Sequence, residues 1–305
     1  MSLRDLLRPP PHRGPLIAAG GVALAIGVSL TVLRLQATLP IGVDAALLLA
    51  PGALLFWLGA QAPNEQGEPP AYQSVLLATG LPLVYGGLLV ALGGELDAIP
   101  PNWVLITASL AVAALAIWPA LERNSAISLL LSALLVGFTL AVLAPDAARR
   151  PLLLAYAIAL TLASLALREP ARRHAEVLID AAGLATAALA IQEYSSGVPT
   201  PDLSAFWELV LLAAGLGLVA FGALDRSPGP AYVGVLNLLL FIASASHGTA
   251  LYVWPLFLLT GGVIMLAAGL RPRRPLPPEP DPYRAGEAPL AARAERSAEA
   301  RPKPR

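Results

Sequence analysis

Ten apolar blocks, each divided from the next by a short polar or proline-containing gap, fill the chain from about Pro15 to Leu270. A helix needs roughly 20 mostly apolar residues to cross a hydrocarbon core about 30 Å thick. Several blocks reach that length without a charge, Trp103–Leu121 and Leu251–Leu270 among them. In hydrocarbon every backbone N–H and C=O must pair within its own helix or in a closed barrel. The blocks lack the period-two alternation of barrel strands. The sequence therefore predicts an all-α, polytopic transmembrane helix bundle of about ten spans. They fall near 15–33, 41–60, 73–93, 103–121, 126–144, 152–168, 176–192, 205–224, 231–247 and 251–270. The expected organisation is a cytoplasmic N-terminal arm over 1–14, a transmembrane bundle over 15–270, and a disordered cytoplasmic Pro/Arg-rich tail over 271–305.

Composition narrows the class of function. Charged residues are 13% of the chain and hydrophobic residues 56%, against about 25% charged in a soluble domain. The formal net charge is zero, so no basic surface points to nucleic acid as a partner. The absence of cysteine excludes disulfides, thiolate catalysis and cysteine-ligated metal. Arginine outnumbers lysine nineteen to one, which fits a GC-rich bacterial genome and hence a plasma-membrane location. The arginines at 4, 8 and 13 ahead of an apolar run resemble a signal peptide. The run is long, and no small-x-small site follows it, so it reads as a retained first span.

Cytoplasmic loops of membrane proteins carry an excess of Lys and Arg. With an even span count, seventeen of the twenty cations fall on the face that holds both termini. Only Arg34, Arg149 and Arg150 fall on the other. Both termini are therefore expected in the cytoplasm. Aromatic residues mark the same register: Trp103, Trp207 and Trp254 at outer ends, Trp57, Tyr72 and Trp118 at inner ends. Such amphipathic rings favour headgroup depth.

Ionisable groups inside a membrane cost about 2.5–3.5 kcal/mol on insertion scales, so each one is a candidate site. Asp180 is the deepest. It shares a helical face with Glu176, Gly183, Ala187 and Ala190. The expectation is a close-packed seam with Asp180 paired to Arg172, Arg173 or a neighbouring loop; a proton or cation site is the sharper alternative. Asp44 and Glu208, within a turn of the outer ends, are expected at the interface or facing a vestibule. Asn237 shares a face with Gly234 and Ser244 and is expected to hydrogen-bond across helices. Asp180, Asn237, Asp44 and Glu208 are the candidate binding residues. Ser125, Ser128, Ser132 and Thr139 form a polar stripe on the fifth span, and Ala19, Ala23 and Gly27 a small-residue seam on the first. Pro51 and Pro82 are expected to kink their helices.

No histidine pair, metalloprotease motif, phosphate loop or Gly-x-Ser-x-Gly occurs, so neither a cofactor nor a metal is expected, and nothing supports an enzyme. Ten spans in about 300 residues with cytoplasmic termini resemble the drug/metabolite transporter superfamily. Leu121-Glu122-Arg123, followed by Ser125, is similar to a Gly-Glu-Arg segment of that family. The glycine is absent here, as is the family's Trp-Gly in the first span, and no residue roles carry over. The resemblance implies a small-solute transporter. The alternative is a non-catalytic membrane scaffold or accessory subunit of an envelope complex, which the scarcity of intramembrane charge favours. The partners expected are the lipid bilayer and either a small-molecule solute or another membrane protein.

Overall fold

A computed structural model describes residues 14–35, 38–62, 69–93, 100–195 and 203–245, together with 259, 262 and 263. Nine helices run through the first five stretches: α1 (Gly14–Leu35), α2 (Ile41–Ala60), α3 (Ala71–Gly93), α4 (Asn102–Glu122), α5 (Ala126–Leu143), α6 (Asp146–Leu167), α7 (Arg172–Ser195), α8 (Ala205–Asp225) and α9 (Pro228–Ala245). No strand occurs among the described residues. Eight of the nine, all but α7, are long and apolar enough to cross a membrane. Nine of the ten expected spans thus coincide with helices. The tenth, 251–270, the arm before Gly14 and the tail from Arg271 fall outside the described residues, apart from Leu259, Gly262 and Val263, which are helical. All nine helices belong to one compact unit, Met1–Leu251; Tyr252–Arg305 is a second.

Proline sets several helix starts. Pro40, Pro101 and Pro145 each stand immediately before a helix in extended conformation, where a fixed φ and a missing N–H cost little. Helix α6 begins six residues earlier than its apolar run, at Asp146, and so takes Arg149 and Arg150 into its first turns. The helices α2 and α3 run unbroken through Pro51 and Pro82.

The outer surface is apolar. Leu16, Leu33, Leu121, Leu162, Leu224 and Leu239 are each more than half exposed, as lipid-facing side chains are. Between helices there is then no hydrophobic driving force, and close packing with hydrogen bonds must hold them. The most extensive contacts join α2 to α3, α8 to α9, α4 to α5, and α6 to α7. Serine and tyrosine hydroxyls tie the successive helices: Ser109 to the Tyr85 hydroxyl (3.3 Å), Ser132 to the Ala113 carbonyl (3.1 Å), Tyr156 to the Ala133 carbonyl (2.7 Å) and Ser164 to the Ala175 carbonyl (2.7 Å). Ser125, Ser128, Ser132 and Thr139 are all buried, so the polar stripe on α5 faces protein as expected.

Three helices each touch four others: α3 touches α1, α2, α4 and α5, α5 touches α3, α4, α6 and α7, and α7 touches α5, α6, α8 and α9. Helix α7 is buried nearly all round, at Ala175, Leu178, Ile179, Ala181, Ala182, Ala185, Ala187, Leu189 and Ala190. Its small residues therefore serve several neighbours, not one face. On α1 the expected seam is corrected. Ala19, Ala23 and Gly27 are exposed, and a Cβ on Gly20 or Gly27 would meet nothing within 4 Å among the described residues. The packed face carries Gly14, Gly21 and Val32 instead. A Cβ on Gly21 would stand 2.7 Å from Leu76. Small residues occurred on both faces, and composition alone did not tell lipid from protein.

Candidate functional site

The glycine–asparagine seam around α7 is the best-defined polar feature inside the bundle. Asn237 of α9 is fully buried. Its Nδ2 donates to the Gly183 carbonyl of α7 and to the Val233 carbonyl, both at 3.0 Å. Thr186 Oγ1 lies 2.9 Å from Asn237 Oδ1 and 2.7 Å from the Gly183 carbonyl oxygen. Both ends of the amide are engaged by protein. Gly183 permits the approach: a Cβ there would meet Leu218 and Val233 at 2.6 Å.

Asp180 lies on the same seam, one turn earlier. Its Oδ2 is 2.6 Å from where a Cβ on Gly229 would stand, so a larger residue at the start of α9 would have to displace the Asp180 carboxylate. The expected pairing with Arg172 or Arg173 is absent among the described residues, and Asp180 Oδ1 has no hydrogen-bond partner there. Arg172 is engaged elsewhere. Its Nε meets Glu176 Oε1 at 3.0 Å and it donates to the Asp225 carbonyl at 2.6 Å. Arg168 forms an ion pair with Asp225 and lies over the Phe221 ring. Ser227 Oγ donates to Glu176 Oε2 at 3.3 Å. Arg172, one of the two cations that the sequence assigned to Asp180, is thus taken up by Glu176 and the end of α8. His174 lies in the same charged first turn, ahead of the apolar stretch. Burial lowers its pKa from the ordinary imidazole value, and a hydrogen bond with the Ala120 backbone opposes that.

Asp44 and Glu208 do not reach the surface. They are 3% and 2% exposed, in the first turns of α2 and α8. The helices turn these acids toward the bundle, where interface placement was expected. Asp44 Oδ1 has no hydrogen-bond partner among the described residues. The structure brings Asp180 and Asn237 onto one seam, and nothing draws Asp44 or Glu208 into it. No group of three metal-ligating side chains occurs among the described residues.

Two cavities open beside α7, and the residues that line them were not singled out from sequence. One, of about 480 Å³, lies among α4, α5, α6 and α7. Ala133, Gly137 and Ala141 of α5 and Ala181, Ala185 and Ala188 of α7 leave it unfilled, with Leu153 and Tyr156 also lining it. Its polar lining is Asn102 and Arg149. The other, of about 470 Å³, lies among α6, α7 and α8 and is nearly all apolar, with Thr161 and Thr186 as its hydroxyls. Small residues spaced by four on α5 were a legible signal for the first. Arg149 was read only as a topological marker.

The fold defines an integral, multi-pass helical membrane protein. No family model matches this chain, and no curated protein or solved structure matches it.

Proposed function

We propose that the protein is a small-solute transporter whose solute is apolar or amphipathic, not a strongly hydrated ion. The observation that carries this reading is the cavity among α6, α7 and α8, within the roughly 300–1,000 Å³ of small-molecule sites at about 470 Å³. A hydrated ion needs several free polar groups at mid-depth. Here Asn237 and Thr186 are already engaged with each other and with Gly183. We place both termini in the cytoplasm and the bundle in a bacterial plasma membrane, on the arginine asymmetry and the arginine-for-lysine usage.

The test is uptake by proteoliposomes of labelled solutes graded from hydrophilic to amphipathic. The expected result is protein-dependent flux of amphipathic solutes, reduced when Ala214→Phe fills the α6–α8 cavity. Flux no greater than in protein-free vesicles for every solute, from a folded protein, would sink the proposal and favour the scaffold. Flux of hydrophilic ions alone would overturn the assigned solute class.

A further inference from the structure

We propose that the cavity among α4, α5, α6 and α7 is a binding site for an anionic membrane lipid. One acyl chain lies against the α5 and α7 small residues, and the headgroup anion rests on Arg149. This goes beyond the transport reading and does not depend on it.

Three features support the occupant. The first is the wall. From Ala133 to Ala141 the cavity follows two turns of α5, about 12 Å at 1.5 Å per residue, and its lining at depth is alanine, glycine, leucine and an aromatic ring. The Tyr156 hydroxyl is turned away to the Ala133 carbonyl at 2.7 Å. An unfilled apolar space forfeits dispersion contacts along its whole lining, and the bilayer offers chains that restore them.

The second is access. Phe138, on the lining, is 41% exposed on the outer surface of α5. A ligand therefore enters from the hydrocarbon side.

The third is charge. The Arg149 Nε donates to the Ala141 carbonyl at 2.8 Å, which fixes the guanidinium at the rim. Its one ion pair among the described residues is with Asp146, at 2.8 Å, whose side chain is 92% exposed. Exposed pairs of that kind are weak, so an anion that also buries a chain displaces Asp146. Guanidinium presents a fork that matches carboxylate and phosphate oxygens. Arg149 sits at the helix end, at headgroup depth, while the apolar wall extends inward. That is the polarity of a lipid: anion outside, chain inside.

The experiment is native mass spectrometry of the purified full-length protein, titrated with phosphatidylglycerol and with phosphatidylcholine of identical acyl chains. The native protein is expected to retain phosphatidylglycerol in preference. Arg149→Gln should weaken that lipid roughly tenfold, the loss of one charge-assisted contact, and leave phosphatidylcholine unchanged. Arg149→Lys, which keeps the charge and loses the fork, should fall between. Ala185→Leu, which grows into the cavity, should weaken both lipids. Inorganic phosphate lacks a chain and should not compete at millimolar concentration. Equal binding of the two lipids by the native protein would overturn the proposal. So would an undiminished preference in Arg149→Gln, or full binding by a folded Ala185→Leu variant. Displacement by inorganic phosphate would mean that the site recognises a free anion, and would overturn the acyl-chain half.

Discussion

The α2–α3 and α8–α9 hairpins are built with the same packing device and differ in what surrounds it. In α2–α3, Gly52 and Gly59 on one helix face Gly80 and Gly87 on the other, each pair seven residues apart. A Cβ on Gly80 would stand 2.7 Å from the Phe56 nitrogen and 3.0 Å from the Gly52 carbonyl oxygen. In α8–α9, Gly215 and Gly222, again seven apart, face Ala231 and Gly234, and a Cβ on Gly234 would stand 2.8 Å from the Gly215 carbonyl oxygen. Seven residues are nearly two helical turns, so each glycine pair lies on one face. The backbones meet where lipid supplies no hydrophobic drive. The difference is polar. The α8–α9 pair reaches α7 through Asn237, whose amide is satisfied. The α2–α3 pair buries Gln73, whose amide atoms find no hydrogen bond among the described residues. One hairpin adds hydrogen bonds to its steric fit, and the other carries a polar cost within it.

The largest expected effects break the shared device. Gly80→Ala and Gly234→Ala each drive a methyl into backbone atoms that cannot move aside, and each should cost about 1–3 kcal/mol. Thermal unfolding in mild detergent, followed by helical circular dichroism, measures both. Gly20→Ala on α1, where a Cβ would meet nothing within 4 Å among the described residues, is the control and should be neutral or slightly stabilising. If one hairpin tolerates its alanine and the other does not, the two are not equivalent in packing.

The next effects have opposite signs and sharpen the contrast. Asn237→Leu removes a satisfied amide and leaves the Gly183 carbonyl as the partner of the Thr186 hydroxyl, so it should destabilise by about 0.6–2 kcal/mol. The Asn237→Leu, Thr186→Val double variant should lose less than the sum, because both act on one network. Gln73→Leu replaces an unsatisfied buried amide with a side chain of similar size, and should be neutral or stabilising by up to about 1 kcal/mol. A destabilising Gln73→Leu, measured in the same melts, would mean that the amide is satisfied and that the hairpins do not differ in this way.

Much of this fold was legible in the sequence because the bilayer sets an absolute length: nine of the ten blocks coincide with helices, eight of them long and apolar enough to cross a membrane. Helix starts were less legible where charge interrupts apolarity: Arg149 and Arg150 hid the first turns of α6. Faces were least legible. In a soluble helix the polar side marks the exterior, but on α1 both sides are apolar, and the choice between Ala19–Ala23–Gly27 and Gly14–Gly21 rests on which neighbour comes near. The stripe of Glu176, Asp180 and Gly183 was readable from its spacing, and so was the bond-forming role of Asn237. The second partner of Arg172, beyond Glu176 four residues on, was not. It is the Asp225 carbonyl at the end of α8, some fifty residues on, and helix periodicity carries no information at that range. The cavities escaped for the same reason, since a void is made by four helices together.

A smaller effect tests the turn that closes the α8–α9 hairpin. Arg226 ends α8 in the left-handed region, at φ 55°. An L side chain there costs about 1–2 kcal/mol, and glycine avoids most of it. Arg226→Gly should therefore stabilise by about 0.5–1 kcal/mol in the same melts. Asn124, at φ 52° after α4, tolerates that region better, so Asn124→Gly should gain less. A larger gain at Asn124 would place the strain in the α4–α5 turn.

The smallest effects decide who partners Asp180. Arg172 is largely exposed and bonds Glu176, so its cycle with Glu176→Gln should show a coupling of about 0.3–0.5 kcal/mol that fades with salt. Its cycle with Asp180→Asn should show none, because Arg172 is taken up by Glu176 and by the Asp225 carbonyl at 2.6 Å. The single Asp180→Asn change should be neutral or slightly stabilising. It removes a half-buried negative charge that lies one turn from Glu176 and gains no cation among the described residues. That sign separates the two hairpins once more. At the α8–α9 turn the ion pairs stay near the helix ends, and the acid one turn deeper rests against Gly229 without sharing in them. A coupling between Arg172 and Asp180 as large as that with Glu176 would reverse this assignment and restore the pairing that the sequence suggested.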